Sequence, residues 1–134
     1  MQRFWIGLGA LAGLTAVAIA AFTAHGLHGL DQARLAVMHS AVDMQIWHAL
    51  ALLACGLWAP SGGRLASGAA AAFALGLLLF CGSLYIVALY ELDLGVVAPV
   101  GGTLLLLGWA LLGLSAVVAR KQTDHRCRRY SSAV

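Results

Sequence analysis

Charge is what this sequence has least of. Only 10% of its residues are Asp, Glu, Lys or Arg, against about a quarter in a typical soluble domain. A soluble domain of 134 residues has too much surface to cover with so few polar side chains, so its apolar excess must face something other than water. Cysteine is sparse too. Cys55 and Cys81 lie inside apolar stretches, Cys127 lies in the C-terminal tail, and no CxxC pair exists, which argues against a disulfide framework and a zinc site. Of the two prolines, Pro60 lies between apolar windows and Pro99 falls in the first turn of the last, where its missing N–H costs little. Catalytic patterning is also missing: no nucleophile stands beside a base, no carboxylates pair within an apolar run, and no phosphate-cradling loop precedes a soluble helix. These absences exclude the common enzyme classes.

What is present is hydrophobic, 62% of the chain, gathered into four windows. They run from Phe4 to Ala24, Ala41 to Ala59, Leu65 to Tyr90 and Val96 to Ala119, each near the ~20 residues that cross the hydrocarbon of a bilayer. None contains Lys or Arg. They are rich in Ala and Leu, show no alternation of period two, and must satisfy their own backbone in lipid, so helices are expected. Pro60-Ser61-Gly62-Gly63 and Glu91-Leu92-Asp93-Leu94-Gly95 supply turn chemistry between the later windows, and short loops imply antiparallel neighbours. Met1-Gln2-Arg3 followed by an apolar run and Ala18-Ile19-Ala20 also has the outline of a secretory signal. Against it, the run is long, continues past the cut, and carries a Gly9-x-x-x-Gly13 spacing suited to helix packing.

Orientation follows from the basic residues. With both termini on one side, Arg3, Arg64, Arg120, Lys121, Arg126, Arg128 and Arg129 group together and only Arg34 lies opposite. Positive charge collects on the cytoplasmic side, so both termini are expected there, in a multi-pass protein of the cell inner membrane. The tail from 120 to 134 reads as a topology anchor that touches anionic headgroups. It lacks the aromatic interleaving of a nucleic-acid site. Its length is also too short for a domain. The expected fold is therefore an all-α membrane protein: an antiparallel four-transmembrane-helix bundle over 1–119, with a short interfacial helix between helices 1 and 2, drawn from Leu27 to His39 and either separate from or continuous with the second window.

His48 is the residue that needs explaining. Counted from Ala41 it lies roughly 10 Å below the outer interface at 1.5 Å per residue. A neutral imidazole with a hydrogen-bond partner is expected there, because an unpaired buried polar group costs about 1 to 3 kcal/mol. The same count puts Ser83 and Thr103 at a similar depth, with Tyr85 and Gln45 nearby and His25 capping the first helix above them. His25, His48, Ser83, Tyr85 and Thr103 thus form a candidate polar layer. His39 and Asp43 read as a local pair at the outer boundary. Met44, His48 and Cys55 share a stripe that reads as core rather than as metal ligands, so neither a metal nor another cofactor is expected.

Four segments together carry a resemblance: Ala20-Ala21-Phe22-Thr23-Ala24-His25-Gly26-Leu27, Trp47-His48-Ala49-Leu50-Ala51-Leu52-Leu53, Gly82-Ser83-Leu84-Tyr85-Ile86-Val87-Ala88-Leu89, and Ala98-Pro99-Val100-Gly101-Gly102 leading to Leu107-Gly108-Trp109. The chain resembles the YgdD-like family of small four-helix membrane proteins, a family of unknown function related to a mitochondrial transmembrane protein family. The family's first motif has Gly where Ala20 and Thr23 stand, and its second has Tyr in place of Trp47, a hydroxyl that could have partnered His48. The resemblance implies four spans and motif histidines at His25 and His48, but no reaction. The expected role is non-enzymatic, structural or interactive, with the lipid bilayer and other membrane proteins or a second copy as partners. The alternative is a small binding or transport site, centred on His48, for a lipid headgroup, a quinone-like ligand, a proton or a metal.

Overall fold

The computed structural model of the chain describes residues 1–26, 29–92 and 94–131, with 120–131 as backbone alone. Leu27, Asp93 and the side chains of the basic tail, Cys127 included, lie outside the described residues. Three helices account for nearly all of the rest: α1 (Gln2–Gly26), α2 (Gln32–Tyr90) and α3 (Val97–Ser131). By length and composition, α1, α2 and the part of α3 from Val97 to Ala119 are each able to cross a membrane.

The helix count corrects the sequence reading from four to three, because the second and third windows belong to one element. Helical structure continues through Pro60, and the backbone leaves helical geometry only at Gly63, with φ 58° and ψ −139°. That left-handed φ is open to glycine at little cost. A straight helix of 59 residues would be about 90 Å long at 1.5 Å per residue. Yet the Tyr85 hydroxyl lies 2.7 Å from Gln45 Oε1, two positions that would be roughly 60 Å apart on a straight rod. The chain therefore reverses at Gly63 into a first limb (32–62) and a second limb (64–90).

Among the described residues no separate interfacial helix precedes the first limb, which corrects the second expectation. Asp31 caps α2 directly, its carboxylate accepting from the Arg34 N–H at 2.8 Å, so residues 32–39 of the stretch read as interfacial form the opening turns of α2 itself, the continuous alternative. At the other end Glu91 terminates the second limb in the left-handed conformation, its N–H donating to Val87 O at 3.0 Å.

The two limbs of α2 are central in the packing. Among the described residues α1 and α3 each pack on α2 and not on each other, and α2 buries 39% of its most apolar window where α1 and α3 each bury 17%. The core is built from Phe73, Leu52 and Cys55 with small neighbours such as Ala69 and Ala70. Close approach has a clear cause at Gly101, where a Cβ would lie 2.8 Å from the Phe80 Cα, so α3 can press on the second limb only without a side chain there. Large apolar residues such as Leu14, Val17, Leu57, Leu78 and Leu106 face outward, the inverse of a water-soluble surface.

Candidate functional site

Polar side chains at four levels of the first limb each reach a different part of the molecule. Nearest its start, Arg34 closes the far end of the second limb: Nε donates to Ala88 O at 2.7 Å, Nη2 to Leu89 O at 2.9 Å, and Nη1 meets Glu91 Oε1 at 2.6 Å. These bonds satisfy carbonyls that a helix end leaves without an intrahelical partner. The exposed ion pair adds little by itself. Glu91, read from the sequence only as turn chemistry between windows, is thereby drawn into this cap.

Gln45 is 8% exposed and ties three elements together. Its Nε2 donates to Ala12 O at 2.9 Å and to Thr15 Oγ1 at 2.8 Å on α1, while its Oε1 accepts from Tyr85 on the second limb. The direction of every bond is determined. Ala12 O can only accept, so the amide nitrogen must point at α1 and the amide oxygen at Tyr85, whose hydroxyl must then donate.

One turn further on, His48 is 7% exposed. Its Nδ1 lies 2.8 Å from Met44 O, and its Nε2 lies 3.3 Å from the Trp109 indole nitrogen on α3. A carbonyl accepts and an indole N–H donates, so this pair of partners selects the neutral tautomer with its proton on Nδ1. A second proton, on Nε2, would face the indole donor and break that bond. Phe73 completes an aromatic cluster, its ring centroid 5.6 Å from His48 and 5.3 Å from Trp109. Near the end of the limb, Trp58 donates to Ser115 Oγ on α3 at 3.1 Å, and Ser115 donates to Leu112 O.

The sequence-predicted layer is thus only partly assembled. His48 and Tyr85 are buried or half-buried and joined to other elements, but Ser83 donates within its own helix to Phe80 O and Thr103 to Val100 O. Thr103 is exposed, and so is His25 in the last turn of α1. The partners of His48 are therefore a carbonyl and an indole, not the hydroxyls expected. The cause is the helix start: counted from Gln32 rather than Ala41, His48 lies about 24 Å along its limb, which sets it near Trp109, some 18 Å into α3, and well past Thr103. Asp31, a residue type suited to capping, was the signal for that start. Trp47 and Met44 both point outward. A tyrosine at 47 would accordingly not reach His48, and Met44 is not core. His39 and Asp43 are exposed, and no bond joins them among the described residues.

The family described as "Protein of unknown function (DUF423)" matches residues 19–102. The chain is 38% identical over 114 residues to a UPF0382 membrane protein of Haemophilus influenzae, covering 84% of this chain and 92% of the relative. The chain belongs to this family, the YgdD-like membrane proteins of unknown function. Within it, the UPF0382 inner membrane protein YgdD of Escherichia coli is 36% identical over 130 residues, 92% of this chain and 98% of its own length. The UPF0382 membrane protein YwdK of Bacillus subtilis is 34% identical over 120 residues, 87% of this chain and 98% of its own. No solved structure matches the YgdD-like chain. Residues 19–102 run from Ile19 to Gly102 and so include Arg34, Gln45, His48 and Tyr85, whereas Thr15 and Trp109 lie outside the match.

Proposed function

We propose that this YgdD-like protein is a non-enzymatic integral membrane protein in which four helical limbs cross the bilayer and the polar residues of the first limb hold the others in register. The observation that supports it most is the set of cross-element bonds from Arg34, Gln45, His48 and Trp58. They are distributed over 24 residue steps of one limb, about 36 Å, slightly more than the ~30 Å of the hydrocarbon. Hydrogen bonds of this kind fix rotation and depth between helices that lipid would otherwise let slide.

In this reading both termini lie in the cytoplasm of a cell with the chain in its inner membrane, and residues 120–134 form a basic cytoplasmic tail beside the domain at 1–119. The basic asymmetry of the sequence and the inner-membrane name of the Escherichia coli relative support that placement. The bilayer is the first partner, and the exposed apolar faces suit self-association or a second membrane protein.

His48→Leu tests the role of the imidazole. If His48 holds register, native mass spectrometry of the purified variant shows the same bound species as wild type, with the thermal midpoint lowered. A ligand or metal present on wild type and lost with His48 would overturn the reading.

A further inference from the structure

On the side of the bundle away from α3, α1 and the second limb stand apart and leave a lateral groove of about 460 Å³. Gln45 and Leu52 of the first limb form its floor, and the exposed leucines Leu11, Leu75 and Leu78 form its rim. None of the residues that line it is charged. From Ala74 to Tyr85 the wall runs roughly 16 Å. Apolar along most of that length, the groove is polar at one end, where Thr15, Gln45 and Tyr85 meet.

The bonding at that end restricts what can enter. Both Gln45 amide hydrogens are used on Ala12 O and Thr15 Oγ1, the Thr15 hydroxyl donates back to Leu11 O or Ala12 O at 2.9 and 3.0 Å, and the Tyr85 hydroxyl donates to Gln45 Oε1. Every strong donor is taken. The lone pairs that remain, on Tyr85 Oη and Gln45 Oε1, can only accept, and the Cys81 thiol is a weak donor at most. A carbonyl headgroup brings another acceptor and a phosphate brings charge; neither has a counterpart here. A hydroxyl does.

We infer that this groove binds a neutral membrane amphiphile by its apolar chain, with a hydroxyl at the head donating to the Tyr85 and Gln45 oxygens. Phosphatidylcholine has no hydroxyl to offer, so it is a competitor for the apolar length alone. Gly82 lines the groove beside Tyr85 in open space, with nothing within 4 Å of where a Cβ would be. A Cβ there meets no other atom, so a side chain at this position narrows the groove.

The test uses the full chain in phosphatidylcholine nanodiscs, with oleyl alcohol, its methyl ether and the corresponding aldehyde as probes, and binding measured by native mass spectrometry. Oleyl alcohol is expected to bind at least tenfold tighter than the ether or the aldehyde. Gly82→Leu is expected to reduce alcohol binding at least tenfold with an unchanged thermal midpoint; Gly82→Ala, which fills less, is expected to reduce it less. His48→Leu is expected to leave it unaltered, which separates this site from the role proposed for the imidazole. Equal binding of alcohol and ether, preference for the aldehyde, absence of alcohol binding, or alcohol binding indifferent to both Gly82 variants would each overturn the inference.

Discussion

Gln45 and His48 are one turn apart on the same limb and equally buried, yet they are used differently. Gln45 faces α1 and the second limb, joins both, and leaves acceptor lone pairs beside an open groove. His48 faces α3, has a partner on each ring nitrogen, and is packed against Phe73 and Trp109. The contrast follows from valence. A primary amide offers two donors and an oxygen with two lone pairs, enough to link two neighbours with capacity to spare, whereas a neutral imidazole offers one donor and one acceptor and is complete once both are used. In a low-dielectric interior either arrangement is stable only if its bonds are made.

The asymmetry predicts unequal costs. Gln45→Leu removes bonds to two elements and leaves the half-buried Tyr85 hydroxyl without its acceptor, so the largest loss is expected there, about 2 to 3 kcal/mol by unfolding from mixed micelles. Arg34→Met opens the cap of the second limb at Ala88 and Leu89. A loss of about 1 to 2 kcal/mol is expected, with faster amide exchange confined to the last turn before Glu91. His48→Leu should cost about 1 to 2 kcal/mol, because Met44 O keeps its place inside a helix while the Trp109 indole N–H, on a face turned to lipid, loses its acceptor. If His48→Leu proved costlier than Gln45→Leu, the ranking by valence would be wrong. Ser83→Ala and Thr103→Val should change stability by less than about 0.5 kcal/mol, since each breaks a bond local to its own helix.

Much of this architecture was legible in the sequence because lipid imposes it. Long apolar runs without Lys or Arg can only be helices there, and Gly62-Gly63 marked the reversal. The joining of the second and third windows into one element was not legible, because helix carries through Pro60 and Ser61 and a single glycine makes the turn. The site was partly legible. His48 stood out as an ionisable residue in an apolar run, but its partner Trp109 did not, because an indole in a membrane window is unremarkable by composition and the level at which it meets His48 depends on where each helix begins. Arg34 was read only as the odd charge on the outer side, since a guanidinium that caps a limb 54 residues away leaves no trace in local spacing.

The account depends on the first and second limbs being bonded to each other across the reversal at Gly63. A double-mutant cycle of Gln45→Leu and Tyr85→Phe measures that bond directly. A coupling energy of about 0.6 to 1.7 kcal/mol is predicted, the range seen for hydrogen bonds between membrane helices. Additive effects, with coupling below about 0.3 kcal/mol, would contradict it.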